Sequence, residues 1–237
     1  MGEDQGRIQG LRCGAIERRA PGPSRPERAL NEKVIGVEPN PDITERYDRY
    51  KASSLRAYNV KLPDRYDTAI ALQVLRVSVM DDFVLDAIGP DLGSLRILDV
   101  GCATGRLLER LAAAGARDLA GSDLAPRIVD VARRRLADQG SVADLRPADA
   151  EGGLPWPGGS FDAVTLTGVL HHFMTPEAAL GEMGRVLRPG GRLVLSDACF
   201  FPPVREIFNV ALRVRPHEGD YHFYTPGQAA REGGLKF

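Results

Sequence analysis

Residues 97–105 read Ile-Leu-Asp-Val-Gly-Cys-Ala-Thr-Gly, which sets one carboxylate, Asp99, two residues before a turn bracketed by Gly101 and Gly105. Glycine accepts the left-handed backbone of a tight turn and lets bare N–H groups approach a ligand. A helix starting directly after such a turn adds partial positive charge. A carboxylate here repels phosphate and suits a cationic group such as a protonated amine. A dinucleotide loop needs G-x-G-x-x-G, and those three positions hold Gly101, Ala103 and Arg106. Arginine is too large for the third, where helix and strand must pack closely. No lysine stands where a triphosphate-binding loop requires it, which argues against a nucleotide triphosphatase. Asp123, in Gly121-Ser122-Asp123, ends a second apolar run and is placed to accept two hydrogen bonds from a ribose diol. In isolation it also suits a helix cap before Leu124-Ala125-Pro126. A third acid, Asp149, taken alone reads as a solvated loop residue.

The elements that must carry these residues follow from hydrophobic periodicity. Apolar runs at 95–100, 119–123, 142–146, 161–166 and 192–197 alternate with helical patterns at 105–114, from Pro126 to about Leu136, and at 176–187. Strands separated by single helices imply parallel pairing with right-handed crossovers. The fold class is therefore α/β: a doubly wound, Rossmann-like, mostly parallel sheet with helices on both faces. Ligands in such sheets bind beyond the carboxyl ends of the strands, where strand order reverses. Ahead of the sheet, residues 41–90 read as helical, with Tyr47, Tyr50, Leu55 and Tyr58 first and a long apolar face over 69–88 that Gly89-Pro90 stops. The expected organisation is a solvated, disordered tail over 1–30, a helical cap and substrate region over 31–92, a ligand-binding core over 93–197, and a lid and last helix over 198–237.

Composition narrows the class further. The 237 residues are 43 % apolar and 27 % charged with a net charge of −1, ordinary for a globular protein. Nothing in that balance steers the chain toward nucleic acid or an acidic membrane. No apolar run reaches the length of a membrane span, and the N-terminus lacks the apolar core of a secretory signal. Cys13, Cys102 and Cys199 are odd in number and far apart, so a disulfide framework or zinc cluster is not expected, and a reducing cytoplasm is the default compartment. Oligomeric state is left open.

Over roughly residues 95–197 the chain resembles the class I S-adenosylmethionine-dependent methyltransferases. Asp99, Gly101 and Gly105 match the family's acidic residue and spaced glycines, with Ala103 where the middle glycine usually stands. Gly121-Ser122-Asp123, Pro147 to Glu151, Phe161 to Phe173, and Arg188-Pro189-Gly190-Gly191 follow in the family's order. The resemblance implies S-adenosyl-L-methionine as cofactor, held by Asp99, Gly101, Cys102, Ala103, Gly105, Asp123, Leu124, Asp149, Ala150 and Thr167. In that scheme Asp149 receives the adenine amino group and the next backbone N–H contacts the ring. Cys102 is read as a small filler whose backbone, not sulfur, meets the ligand. Asp162 is read as a structural hydrogen-bond partner.

The activity so implied is methyl transfer to a small-molecule acceptor through an O, N or C nucleophile, by in-line displacement. Positioning the nucleophile supplies most of the effect. His171 and His172 follow the fourth strand near the ligand edge and are the candidate general bases, although such a pair also occurs in the family without a catalytic role. No His or Cys pair has metal-ligand spacing. The acceptor pocket is expected from the tyrosine-bearing region 41–62 and from 198–224, with Phe200, Phe201, Phe208, Val210, Leu212, Tyr221, Phe223 and Tyr224; His217 and His222 lie in that second segment. The competing readings are an NAD-dependent oxidoreductase, disfavoured by Arg106 and Asp99, and a non-catalytic cofactor-binding paralogue. The family continues after this point into two further strands forming an antiparallel hairpin, of which this sequence holds at most a beginning. An exposed sheet edge is the expectation there.

Overall fold

The computed structural model describes residues 15–19, 41–61 and 74–197, together with 206, 207, 209, 210, 222 and 223. Its centre is a six-stranded sheet of order β1-β6-β5-β2-β3-β4. The strands are β1 (Ala15–Arg19), β2 (Arg96–Val100), β3 (Asp118–Asp123), β4 (Ala143–Pro147), β5 (Phe161–Thr167) and β6 (Leu187–Ser196). Strands β2 to β6 pair in parallel, and β1 runs antiparallel to β6. The helices are α1 (Pro41–Arg56), α2 (Val74–Ile88), α3 (Arg106–Ala113), α4 (Pro126–Asp138) and α5 (Pro176–Val186). A π-helical turn, Ala57–Lys61, continues α1.

β2 and β5 lie at the middle because they are apolar on both sides, as a strand covered by helices on both faces must be. Ile97, Leu98, Val100, Ala163, Val164 and Leu166 are all buried. On one face Leu98, Val100, Val164 and Leu166 pack with Leu180, Met183 and Val186 of α5. On the other, Ile97, Ala163 and Val194 meet the faces of α2, α3 and α4 through Val84, Ile88, Leu108, Leu111, Val129 and Leu136. From β2 the chain moves to β3 and β4 on one side, then to β5 and β6 on the other. The order therefore reverses at β2, and a crevice opens at the carboxyl ends of β2 and β5.

Arg106, which spoils the dinucleotide fingerprint, has a structural task. It and Arg110 of α3 pair with Asp81 of α2, whose carboxylate is fully buried. Asp162 is the structural partner expected of it: the Arg96 N–H donates to Oδ2 at 2.7 Å and Arg188 pairs with Oδ1.

Three expectations are corrected. The tail over 1–30 is not wholly solvated, because Ala15–Arg19 forms β1 and pairs along β6 from Ala15↔Ser196 to Arg19↔Arg192. The edge of β6 expected to lie open is the one that β1 covers. The last parallel strand begins at Leu187 rather than 192. Its Pro189-Gly190-Gly191 turn is a bulge within the strand, where the register jumps between Phe161↔Leu187 and Ala163↔Arg192. The helix expected over 69–88 is α2 from Val74; residues 69–73 lie outside the described residues, as does most of 198–237. Among the described residues no helix is long and apolar enough to cross a membrane.

Candidate functional site

A cleft of about 720 Å³, counted to its open mouth, lies over the carboxyl ends of β2, β3, β4 and β5. Its wall takes Gly101 and Ala103 from the glycine turn, Ser122, Asp123 and Leu124 from the end of β3, Asp149 and Ala150 from the end of β4, and Val169, His172 and Phe173 from beyond β5. Tyr50, Lys51 and Ser54 of α1, and Tyr58 of the π turn, close it from above.

The turn has the left-handed backbone that its glycines permit, with φ of 71° at Gly101 and 78° at Gly105. Gly101 cannot carry a side chain for a second reason: a Cβ there would stand 2.5 Å from Val169. Gly105 opens α3 where a Cβ would press on Ala132 of α4 at 3.0 Å. Ala103, at φ 46°, is the one described non-glycine residue with positive φ. An alanine in this region costs about 1 kcal/mol that glycine would not. The strained turn is held from outside. The Cys102 N–H donates to the Ser122 carbonyl at 2.8 Å, and the Ala103 N–H to Asp123 Oδ2 at 3.1 Å.

Asp123 thus joins two loops, because its Oδ1 also accepts the Ala125 N–H at 2.9 Å where α4 begins. The helix-cap reading does not hold, since Ala125 is the N-cap of α4 and no side chain caps it; each Asp123 oxygen keeps a second lone pair, and the residue lines the cleft. Burial raises its pKa above the usual carboxylate value, opposed by those two N–H bonds.

Asp149 is also brought to the wall, but not as a solvated acid. Its Oδ1 accepts from Lys51 Nζ at 2.9 Å and from the Glu151 N–H at 3.1 Å, and its Oδ2 accepts the Tyr47 hydroxyl at 2.8 Å. Burial, then the Asp149 bond, hold the Tyr47 phenol far above its normal pKa, so it donates.

Asp99 lies behind the wall rather than on it. It is 2 % exposed and accepts the Thr165 hydroxyl at 2.8 Å. Burial pushes its pKa up to about 7, against the opposing Thr165 bond. Cys102 is buried with its thiol pKa pushed well up by burial, in keeping with a filler role. Cys102, Gly105 and Thr167 are not on the wall of the cleft.

The two histidines, whose ring centroids lie 4.0 Å apart, have different surroundings. His172 lines the cleft, its carbonyl accepting the Tyr50 hydroxyl at 2.8 Å and its ring meeting Tyr58 edge-on at 6.2 Å. His171 does not line it. Its Nδ1 sits 2.6 Å from Asp197 Oδ1, its N–H donates to Asp197 Oδ2, and its ring stacks on Phe223 at 5.0 Å. Asn209 clamps Phe223 through both its backbone groups. Of the expected aromatic segment, Phe223 therefore packs on His171 instead of lining the acceptor space, and Val210 is 55 % exposed. His222 donates its backbone N–H to the His171 carbonyl. His217, Phe200, Phe201, Phe208, Leu212, Tyr221 and Tyr224 lie outside the described residues.

Lys51, Ser54 and Asp197 carry no motif, and Ser122 stands in Gly121-Ser122-Asp123 without a role read for its hydroxyl. A signal for the first two existed: Tyr47, Tyr50, Lys51 and Ser54 recur at i, i+3, i+4 and i+7, one face of a helix. The Ser122 hydroxyl is buried on the wall with no hydrogen-bond partner among the described residues. An orphaned hydroxyl there and two cleft-lining carboxylates able to accept further hydrogen bonds fit the hydroxyl and amino donors of a nucleoside. A buried carboxylate behind the turn fits a cationic group next to it.

A doubly wound parallel sheet with a cleft at its switch point is the arrangement in which α/β proteins bind ligands. Residues 98–195 match the methyltransferase-domain family. The demethylmenaquinone methyltransferase of Thermus thermophilus is 43 % identical over 121 residues, 50 % of this chain and 53 % of the relative. The ubiquinone biosynthesis O-methyltransferase of Xanthomonas oryzae is 42 % identical over 106 residues, 45 % of this chain and 44 % of the relative. The chain thus spans about half the length of the curated relatives it matches. Among solved structures, the YcgJ protein of Bacillus subtilis superposes with a TM-score of 0.55 at 26 % identity, over 64 % of this chain and 65 % of that one. The similarity to methyltransferases thus lies in residues 98–195, the stretch that builds the parallel part of the sheet.

Proposed function

We propose that this protein moves a methyl group from S-adenosylmethionine to a small-molecule acceptor bound beneath α1. When bound, the cofactor supplies an electrophilic methyl group on a sulfonium. Asp123 and Ser122 would hold the ribose, Asp149 and the Ala150 backbone the adenine, and the Gly101–Gly105 backbone the amino-acid portion, with the Asp99 carboxyl group behind it. The acceptor takes the space between Val169, His172, Phe173, Tyr50 and Tyr58, an aromatic surface suited to a flat ring. His172, fixed through its carbonyl by Tyr50, takes the proton of a neutral hydroxyl or amine nucleophile. The names of the two curated relatives, which both refer to quinones, support a ring-bearing acceptor.

The observation that carries this reading is the placement of Asp123 and Asp149 on one cleft wall beside the glycine turn. Calorimetric titration tests it. The protein is expected to bind S-adenosylhomocysteine and not NAD, and Asp123→Ala is expected to weaken S-adenosylhomocysteine at least tenfold, about 1.4 kcal/mol. Binding of NAD in its place, or unchanged affinity in Asp123→Ala, overturns the assignment. A screen of phenolic and quinone-like acceptors for methyl transfer then identifies the nucleophile.

A further inference from the structure

α1 lies outside the stretch that matches the methyltransferase family, residues 98–195, yet it holds the acid at the end of β4. Lys51 bonds Asp149 Oδ1 at 2.9 Å and also pairs with Glu151. Glu151 is anchored in turn. Its side chain is fully buried, and its Oε1 accepts both the N–H and the hydroxyl of Thr175, the residue that opens α5, at 2.5 and 2.7 Å. A single ammonium on α1 therefore separates two carboxylates that stand two residues apart and would otherwise repel each other. It ties α1 to the β4 loop and, through Glu151, to α5.

The count of acceptor positions is informative. A carboxylate offers about four lone-pair sites. Three on Asp149 are filled, by Lys51 and the Glu151 N–H on Oδ1 and by Tyr47 on Oδ2. One position on Oδ2 remains, on a carboxylate still 27 % exposed at the cleft wall. A nucleobase amino group needs one acceptor.

We infer that Lys51 is a cofactor-positioning residue: it holds the Asp149 carboxylate in one orientation, leaving a single acceptor for the exocyclic amine of adenine. The α1 helix is then part of the cofactor site as well as the roof of the acceptor space, where Tyr50 bonds the His172 carbonyl at 2.8 Å. Cofactor binding and docking of α1 stabilise each other, because they share one carboxylate. This inference rests on the reading that adenine lies at Asp149.

S-Adenosylhomocysteine is titrated into the wild-type protein, Lys51→Met, Lys51→Arg, Asp149→Asn and the Lys51→Met/Asp149→Asn double variant, with amide exchange of residues 45–56 followed with and without ligand. Lys51→Met is expected to weaken binding about fivefold or more, the net size of one ordinary hydrogen bond, and Lys51→Arg to restore most of it. The double variant is expected to bind no more weakly than the weaker single variant, and ligand to slow exchange across α1 in the wild type but not in Lys51→Met. A loss below fivefold in Lys51→Met, or additive losses in the double variant, overturns the inference. If Lys51→Met does not fold, Lys51→Gln, which keeps a donor without the charge, takes its place in the same comparison. A wild-type protein that does not bind S-adenosylhomocysteine overturns the cofactor reading itself; one that binds it with Lys51→Met unaffected overturns only the role of Lys51.

Discussion

Asp99 shows how a single residue can be recognised by type while its energetics depend on place. Its carboxylate is enclosed by the sheet, with Thr165 as its bonding partner, and its pKa stands near 7 where an exposed aspartate has 3.8. The fold therefore binds this proton more tightly than the unfolded chain does. The sign follows: as pH rises from about 4 to 7 the unfolded chain gives up the proton first, and the folded state loses stability relative to it. In Asp99→Asn that loss is absent. Urea denaturation of both proteins at pH 5 and pH 8 is expected to shift the stability difference toward the variant by about 3 kcal/mol. A difference independent of pH would show that the buried carboxylate is already ionised at pH 5.

The elements explain why the site keeps its shape. α3 starts in the glycine turn, so whatever fixes α3 fixes the turn. Part of that grip is the Asp81 carboxylate on α2, fully buried against Arg106 and Arg110. Neutralising Asp81 leaves two arginines that are each about a third exposed, so solvent offsets part of the lost pairing and the cost is about 2 kcal/mol. Asp81→Asn is expected to lower stability by that amount in chemical denaturation, and a loss under about 1 kcal/mol would show that α2 is held by its apolar face alone. That apolar face was legible in sequence, since Val84 and Ile88 recur at helical spacing. The pairing of Asp81 was not, because its partners lie 25 and 29 positions away.

At the scale of the whole molecule the sheet is finished by residues from its far end. β1 runs antiparallel along β6 over five pairs, and β6 is buried through Leu193, Val194, Leu195 and Ser196. An uncovered strand of this kind offers a row of N–H and C=O groups to any other chain. A protein lacking residues 1–19 is expected to melt at lower temperature and to associate with rising concentration in light scattering. A monomer with an unchanged melt would show that β1 contributes nothing to the fold.

The amino-acid sequence alone determined the parallel core and the floor of the site. Runs such as Ile97 to Val100 and Ala163 to Leu166 carry apolar residues on both faces, broken only by Asp99 and Thr165, as a strand covered on both sides requires. Gly101 and Gly105 are required by backbone conformation, a property of the residue itself. Asp123 ends β3 and Asp149 lies two residues past β4, and parallel pairing carries these strand ends to one edge. Tertiary structure alone decided the rest. Ala15–Arg19 has no strong local preference and became a strand because β6 had an open ladder to fill. His171 turned to Asp197 and Phe223, leaving His172 on the cleft, although the two are neighbours of the same type. Lys51 reached Asp149 across 98 positions of chain. Local rules report what the backbone of a residue can do, whereas these contacts depend on which distant side chain folding brings within hydrogen-bond reach.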